Sequence, residues 1–142
     1  IHHNNLLNNI LASIEANVAG VDSAVMLDVH GFVSETNDTN LFRVKDGVVY
    51  TPHADSCLPG LTRQMVLNIC KQQKISAEER NLSLTELYTA DEVFTSGTMG
   101  ELTPVLMADG REIGTGQPGE MTQLLQRLHR EYAYETGTPL PF

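Results

Sequence analysis

Basic residues are scarce. Against 18 Asp and Glu the 142-residue chain sets only 9 Lys and Arg, a formal net charge of −9. A surface of that sign repels a phosphate backbone and argues against nonspecific nucleic-acid binding. Long apolar runs are missing too, and no stretch approaches the roughly 20 residues a membrane span requires. No succession of cationic, apolar and small residues marks a secretory leader. Cysteine is limited to Cys57 and Cys70, too few for a secreted disulfide framework, so free thiols in a cytoplasmic protein are the default. What is present, 41% hydrophobic residues with 19% charged, suffices for the core of one globular domain.

The chain opens Ile1-His2-His3-Asn4-Asn5 without an initiator Met. It runs straight into helical spacing, with Leu6, Leu7, Ile10, Leu11, Ile14 and Val18 on one face and Gly20 as the stop. A helix so near the first residue suggests a piece whose upstream part is missing. Short β-type runs follow: Ala24 to Val29, a turn at His30-Gly31, and Phe32 to Glu35. A polar loop covers Thr36 to Asn40. Leu41 to Lys45 and Val48 to Thr51 flank Asp46-Gly47, a strong hairpin signal. Pro52 and Pro59-Gly60 make the next segment a loop. Helical spacing returns from Thr62 to about Gln73, and Ser83-Leu84-Thr85-Glu86 has the form of a capping box that opens a short helix to Ala90. Glu92 to Ser96 reads as a strand, and Thr103 to Met107 with Arg111 to Ile113 as a hairpin around Asp109-Gly110. A last helix spans Glu120 to Tyr134 and buries Leu124, Leu125, Leu128 and Tyr132. The tail from Thr138 to Phe142 cannot extend it. The pattern is mixed α/β of the α+β kind, strands in hairpins with flanking helices, and not a regular parallel wind.

Common catalytic signatures are absent. His2 and His3 are neighbours that cannot converge on one metal, His30 sits in a turn, and no zinc-ligand spacing exists. There is no nucleophile elbow and no Walker loop. Three segments remain. Glu35 ends a strand before the polar loop. Leu58-Pro59-Gly60-Leu61-Thr62-Arg63 is a glycine turn running into a helix, whose free amides, with Thr62 as a capping hydroxyl, form a natural phosphate cradle. Thr95-Ser96-Gly97-Thr98-Met99-Gly100 ends a strand in small residues whose amides can approach an anion. Singly, each also reads as something plainer: a solvated turn acid, an ordinary N-cap, a tight turn.

In combination and in this order, with Asn40-Leu41-Phe42, Ala90-Asp91-Glu92-Val93-Phe94 and the closing Ile113-Gly-x-Gly-x-x-Gly119, the segments resemble the C-terminal half of a class IV, fold-type IV, pyridoxal-phosphate aminotransferase. The resemblance covers nearly the whole chain. It implies that residues 1–142 are the C-terminal cofactor-binding domain of a two-domain enzyme, with pyridoxal 5′-phosphate as cofactor, an amino acid and a 2-oxo acid as substrates, its own N-terminal domain as neighbour, and a homodimer as the assembly. No nucleic-acid or membrane partner and no metal is expected.

Carried over by position, Glu35 resembles the carboxylate that keeps the pyridine nitrogen protonated, so that the ring can accept electrons from the substrate. Gly60, Leu61 and Thr62 resemble the turn whose amides hold the phosphate, and Gly97 with Thr98 the second phosphate contact. The amides of Thr98, Met99 and Gly100 resemble the pocket for the substrate carboxylate. The loop Asn37 to Asn40 would lie near the ring, with Asn40 among the cofactor ligands, although it lacks the family's usual glycines. The Schiff-base lysine of the family belongs near Ile1 or His2 or immediately before them, and none is there. Lys45, Lys71 and Lys74 read as solvated surface residues. Either the chain begins just after a modified lysine, the preferred reading, or it is a lysine-less homologue that binds a phosphate ligand without turnover. A branched-chain L-amino acid is the first expectation for substrate. A D-amino-acid aminotransferase and an aminodeoxychorismate lyase share the same motifs, and Leu6 stands where many branched-chain enzymes have tyrosine.

Overall fold

The computed structural model describes residues 6–138. The expected lysine position, the His2-His3 pair and the tail from Pro139 onward lie outside the described residues. The elements are α1 (Leu7–Ala19), β1 (Val25–Leu27), β2 (Val33–Thr36), β3 (Asn40–Lys45), β4 (Val48–Thr51), α2 (Leu61–Gln73), β5 (Ala77–Glu79), α3 (Leu84–Tyr88), β6 (Glu92–Gly97), β7 (Glu101–Val105), β8 (Met107–Ala108), β9 (Arg111–Glu112) and α4 (Glu120–Thr136).

A five-stranded sheet of order β5-β4-β3-β6-β7 forms the centre, with β1-β2 and β8-β9 as separate two-stranded ribbons. Every pairing in the sheet is antiparallel except β4 with β5. Both Asp-Gly pairs do what their chemistry allows: Asp46-Gly47 and Asp109-Gly110 carry positive φ at both residues, the geometry of a two-residue hairpin turn.

Strand β5 is not visible in the sequence pattern. Ala77-Glu78-Glu79 has no alternation of its own and exists because Val49 accepts it in parallel register, with Val49 N donating to Ser76 O at 2.9 Å and Arg80 N to Thr51 O at 3.0 Å. The expected strand from Thr103 to Met107 is broken at Leu106 into β7 and β8, where Leu106 O instead accepts from Ile113 N at 3.0 Å. Lys45 is not simply solvated. Its ammonium meets Asp91 Oδ1 at 2.7 Å, and Asp91 Oδ2 accepts from Asp46 N at 2.8 Å, which ties the β3-β4 hairpin to the start of β6.

Alternation along the central strands divides the core. Phe42, Val44, Phe94 and Leu102 face α2 and α4, where they pack with Val66, Ile69, Cys70 and Leu125. The rings of Phe42 and Phe94 stack at 4.8 Å and 4°. Leu41 and Val93 point to the other face and pack with Val33, Leu82, Leu87, Ala90 and Ile113. Helix α4 is fixed at its start by Glu92, whose carboxylate accepts from the amides of Met121 and Thr122 and from the Thr122 hydroxyl. Helix α3 has the expected capping box between Ser83 and Glu86.

Helix α1 behaves differently. Gly20 closes it in the left-handed conformation at φ 72°, as the sequence suggests. Yet Ala16 is its only buried residue, and the apolar stripe Leu7, Ile10, Leu11, Ile14 and Val18 points outward, with Val18 85% exposed. The small residues Ala12, Ala16 and Ala19 face the sheet across a cavity of about 600 Å³.

Candidate functional site

One end of the sheet gathers most of the residues singled out above. Glu35 is the third residue of β2, half-buried, and Asn40 opens β3 in register with Ser96 of β6. The residues between them do not form an open loop. Thr36 N donates to Thr39 O at 2.8 Å and Thr39 N to Thr36 Oγ1 at 2.9 Å, closing a tight turn that delivers Asn40 into the strand, where it is buried. Asn37 is turned away from Glu35's neighbours. Its Oδ1 accepts from Ser23 Oγ and Ala24 N, and its carbonyl from Asn9 Nδ2 at 2.8 Å, so it joins α1 and the linker before β1 to this turn.

The segment from Pro52 to Gly60 is a strap without regular structure, fastened along its length. Ser34 Oγ donates to Ser56 O at 2.6 Å. Leu58 N donates to Glu35 Oε2 at 3.0 Å, and Asn40 Nδ2 to Leu58 O at 2.8 Å and to Glu35 Oε2 at 3.4 Å. Arg63, 3% exposed, reaches back from α2 to Pro52 O at 2.8 Å and pairs with Glu79. These anchors place Gly60 against Asn40 so closely that a Cβ there would lie 2.3 Å from Asn40 Oδ1. A side chain at residue 60 would have to displace Asn40.

Gly60, not Thr62, is the N-cap of α2. Its backbone is extended, its carbonyl accepts from Gln64 N at 3.0 Å, and no side chain caps the first turn. Thr62 is already inside the helix, so its hydroxyl is not the cap the sequence suggested. The consequence favours a ligand more than a capped end would: the first amides of a helix lack intrahelical partners, and here no side chain takes them. Gly97 packs beside Thr39, a Cβ on it falling 3.0 Å from Thr39 Cγ2, and so the β6-β7 turn starts at the same end of the sheet. Thr98, Met99 and Gly100 are exposed at its tip. Asn40 thus touches both Glu35 and Gly60, Leu61 and Thr62 follow at once, and Gly97 adjoins through Thr39. No hydrogen bond joins Met99 or Gly100 to this group.

Burial pushes the Glu35 carboxyl above the ordinary carboxylate range, partly offset by the Leu58 amide. No cation among the described residues pairs with it. Burial first, and then the Glu35 charge, pushes the neighbouring Cys57 thiol up, so it is a poor nucleophile at neutral pH. A half-buried acid without a cation, next to an uncapped helix N-terminus, suits a ligand with a positive group at one end and an anion at the other. The 600 Å³ cavity under α1 is lined by Thr36, Leu41, Val93 and Thr95 on the opposite face, and it is not this site.

Sequence reasoning passed over Ser34 and, although it placed Leu58 and Arg63 in the glycine-turn motif, gave neither a role. The available signal was polar residues at buried strand positions, Ser34 and Asn40, where only a specific partner makes burial tolerable.

A family model described as amino-transferase class IV matches residues 1–107. The branched-chain-amino-acid aminotransferase-like protein 2 of Arabidopsis thaliana is 57% identical over 141 residues, 99% of this chain but 25% of that protein. The branched-chain-amino-acid aminotransferase of Pseudomonas aeruginosa is 42% identical over 123 residues, 87% of this chain and 40% of its own length. Among solved structures, the branched-chain amino acid aminotransferase from Thermobaculum terrenum in its PLP-form (holo-form) superposes with a TM-score of 0.87 at 36% identity, covering 92% of this chain and 43% of that one. The chain therefore spans between a quarter and a half of the length of these relatives.

Proposed function

Because the chain belongs to the class IV amino-transferase family, we propose that it is the C-terminal cofactor-binding domain of a two-domain pyridoxal-phosphate enzyme, one that moves an amino group from a branched-chain L-amino acid to a 2-oxo acid. The observation that carries this reading is the pairing of Glu35 with the α2 N-terminus through one hydrogen-bonded strap. The residues fit the cofactor by their donor and acceptor chemistry. Glu35 would face the pyridine nitrogen, and the amides of Leu61 and Thr62, with Thr98, would take the phosphate. Bound pyridoxal phosphate supplies an electron sink for the bond broken at the substrate α-carbon. The chain's own share is to hold a proton on the ring nitrogen through Glu35, anchor the phosphate, and offer the amides of Thr98 to Gly100 to the substrate carboxylate. The upstream lysine and the N-terminal domain complete the enzyme, as a homodimer, and the unpaired Cys57 and Cys70 suit a reducing compartment such as the cytoplasm.

The branched-chain assignment is supported by the names of the relatives above. The test is a donor panel on the complete protein. Turnover of L-leucine and L-valine is expected. Turnover of D-alanine without L-leucine moves the assignment to D-amino acids, and pyruvate release from aminodeoxychorismate moves it to the lyase. Cofactor binding without any turnover supports a lysine-less binding homologue. In the same protein Glu35→Gln should keep the cofactor yet lose most transamination, because a neutral amide cannot hold the ring nitrogen protonated. Full activity in that variant removes Glu35 from the site.

A further inference from the structure

Asn40 is 5% exposed, too deeply placed to line an open pocket, and both of its amide hydrogens are engaged. One amide hydrogen goes to Leu58 O at 2.8 Å, the other to Glu35 Oε2 at 3.4 Å, and Leu58 N returns to the same Oε2 at 3.0 Å. Three groups close a ring of hydrogen bonds. The remaining polar atom, Oδ1, lies against Gly60 with no space for a Cβ. The backbone of Asn40 is itself held by its pairing with Ser96, so this short side chain stands on a fixed base. It touches the carboxylate at one end of the site and the turn that opens α2 at the other.

We propose that Asn40 is a positioning residue that couples the two ends of the cofactor pocket, keeping the Glu35 carboxylate and the Leu58–Gly60 turn at one fixed separation. This rests on the cofactor reading above, in which Glu35 meets the ring nitrogen and the α2 amides meet the phosphate. Asn40 holds the Glu35 carboxylate and the Leu58–Gly60 turn in place together, so without it a ligand that contacts either end binds more weakly, and one that spans both loses at both. Asn40 contributes by fixing that position without touching the ligand.

The experiment separates the ends with two probes on the complete protein stripped of cofactor: inorganic phosphate for the helix end and pyridoxine, which carries the ring without phosphate, for the carboxylate end. Glu35→Gln should weaken pyridoxine alone, and Thr98→Val phosphate alone. Asn40→Asp keeps the shape but turns a donor into an acceptor facing Leu58 O and Glu35, and should weaken both probes tenfold or more. Asn40→Ser, which is neutral and leaves Gly60 its room, should weaken both at least threefold. It removes charge repulsion as the cause and serves if the Asp variant does not fold. Loss at one end only overturns the coupling. A lowered melting temperature with both affinities unchanged does so as well, making Asn40 a structural residue. A wild-type protein that binds neither probe nor pyridoxal phosphate overturns the cofactor reading itself, and the coupling falls with it.

Discussion

The two faces of the central sheet are finished to different degrees. Against one face, α2 and α4 interlock with Phe42, Phe94, Val66, Ile69 and Leu125 into a closed apolar layer. Against the other, α3 and the loops around Leu82 and Ile113 cover part of the surface, while α1 stands over a 600 Å³ cavity and turns its large apolar side chains away from the sheet. Sequence periodicity is the same in α1 and α2, since both carry apolar residues at spacings of three and four. What differs is the identity of the facing surface. A stripe tells that a helix has something to cover, not that this stretch of chain supplies it. The site sits at the end of the sheet where the closed face and the strap meet, so the network of Glu35, Asn40 and Leu58 forms within these residues.

The largest expected effects test the closed face. Phe94→Ala removes a ring that is fully buried and stacked on Phe42, and should cost about 3–5 kcal/mol of unfolding free energy. Its neighbour Val93 points the other way, toward the cavity. Val93→Ala should cost only about 1–2 kcal/mol, near the transfer value of its two lost methyl groups, because the lining atoms there already lack neighbours on one side. Denaturant melts of the two variants measure this directly. Equal costs for Val93→Ala and for Val44→Ala, the same deletion on the closed face, would mean that the two faces are packed alike.

Much of this layout was legible in the residues. Both Asp-Gly hairpins, the Ser83 capping box and the glycine stop of α1 follow from local chemistry, which acts over a few residues and needs no tertiary partner. Glu35, Gly60 and Gly97 were legible as a combination of short motifs. The rest depended on contacts distant in sequence. Strand β5 forms only because β4 accepts it. The capping role passed from Thr62 to Gly60 because the strap, held by Ser34, Glu35 and Asn40, fixes where α2 begins. Asn40 itself looked like a loop ligand, since the tight Thr36–Thr39 turn that pulls it into β3 depends on a hydroxyl bonding back along the chain.

A smaller effect belongs to the partly covered face, where Arg80 and Glu86 meet at 2.7 Å and Arg80 lies over the Tyr50 ring. The Arg80 guanidinium first, and then the Ser83 backbone amide, hold the Glu86 carboxyl down at about 2, against 4.5 unperturbed. The unfolded chain therefore takes up a proton before the folded one does. Glu86 stabilises the fold in full above about pH 4.5, and that contribution drains away as pH falls toward 2. With its side chain 34% exposed, solvent screening limits the contribution to about 1 kcal/mol. Melts of wild type and Glu86→Gln should differ by this amount at pH 6 and converge near pH 2. A gap that widens on acidification would mean that the pair is not formed.

The smallest effect expected is on the outward stripe of α1, and it is the sharpest test of the contrast between the faces. Leu11 and Val18 are 63% and 85% exposed. Replacing them by Gln removes little buried area, and at Val18 it exchanges a β-branched residue for a better helix former. For residues 1–142 by themselves, Leu11→Gln with Val18→Gln should shift unfolding by no more than about 0.5 kcal/mol. The matching change on α2, Ile69→Gln, would bury an unpartnered amide in the closed layer and should be severely destabilising. In the complete protein, on the two-domain reading proposed above, the α1 pair should behave differently. If the stripe is covered there by the N-terminal domain or a second subunit, the same two substitutions lose buried apolar area, and the melting temperature or the dimer should weaken. A strong loss in residues 1–142 alone would show that α1 buries its stripe within this chain. No loss in either context would show that nothing covers it.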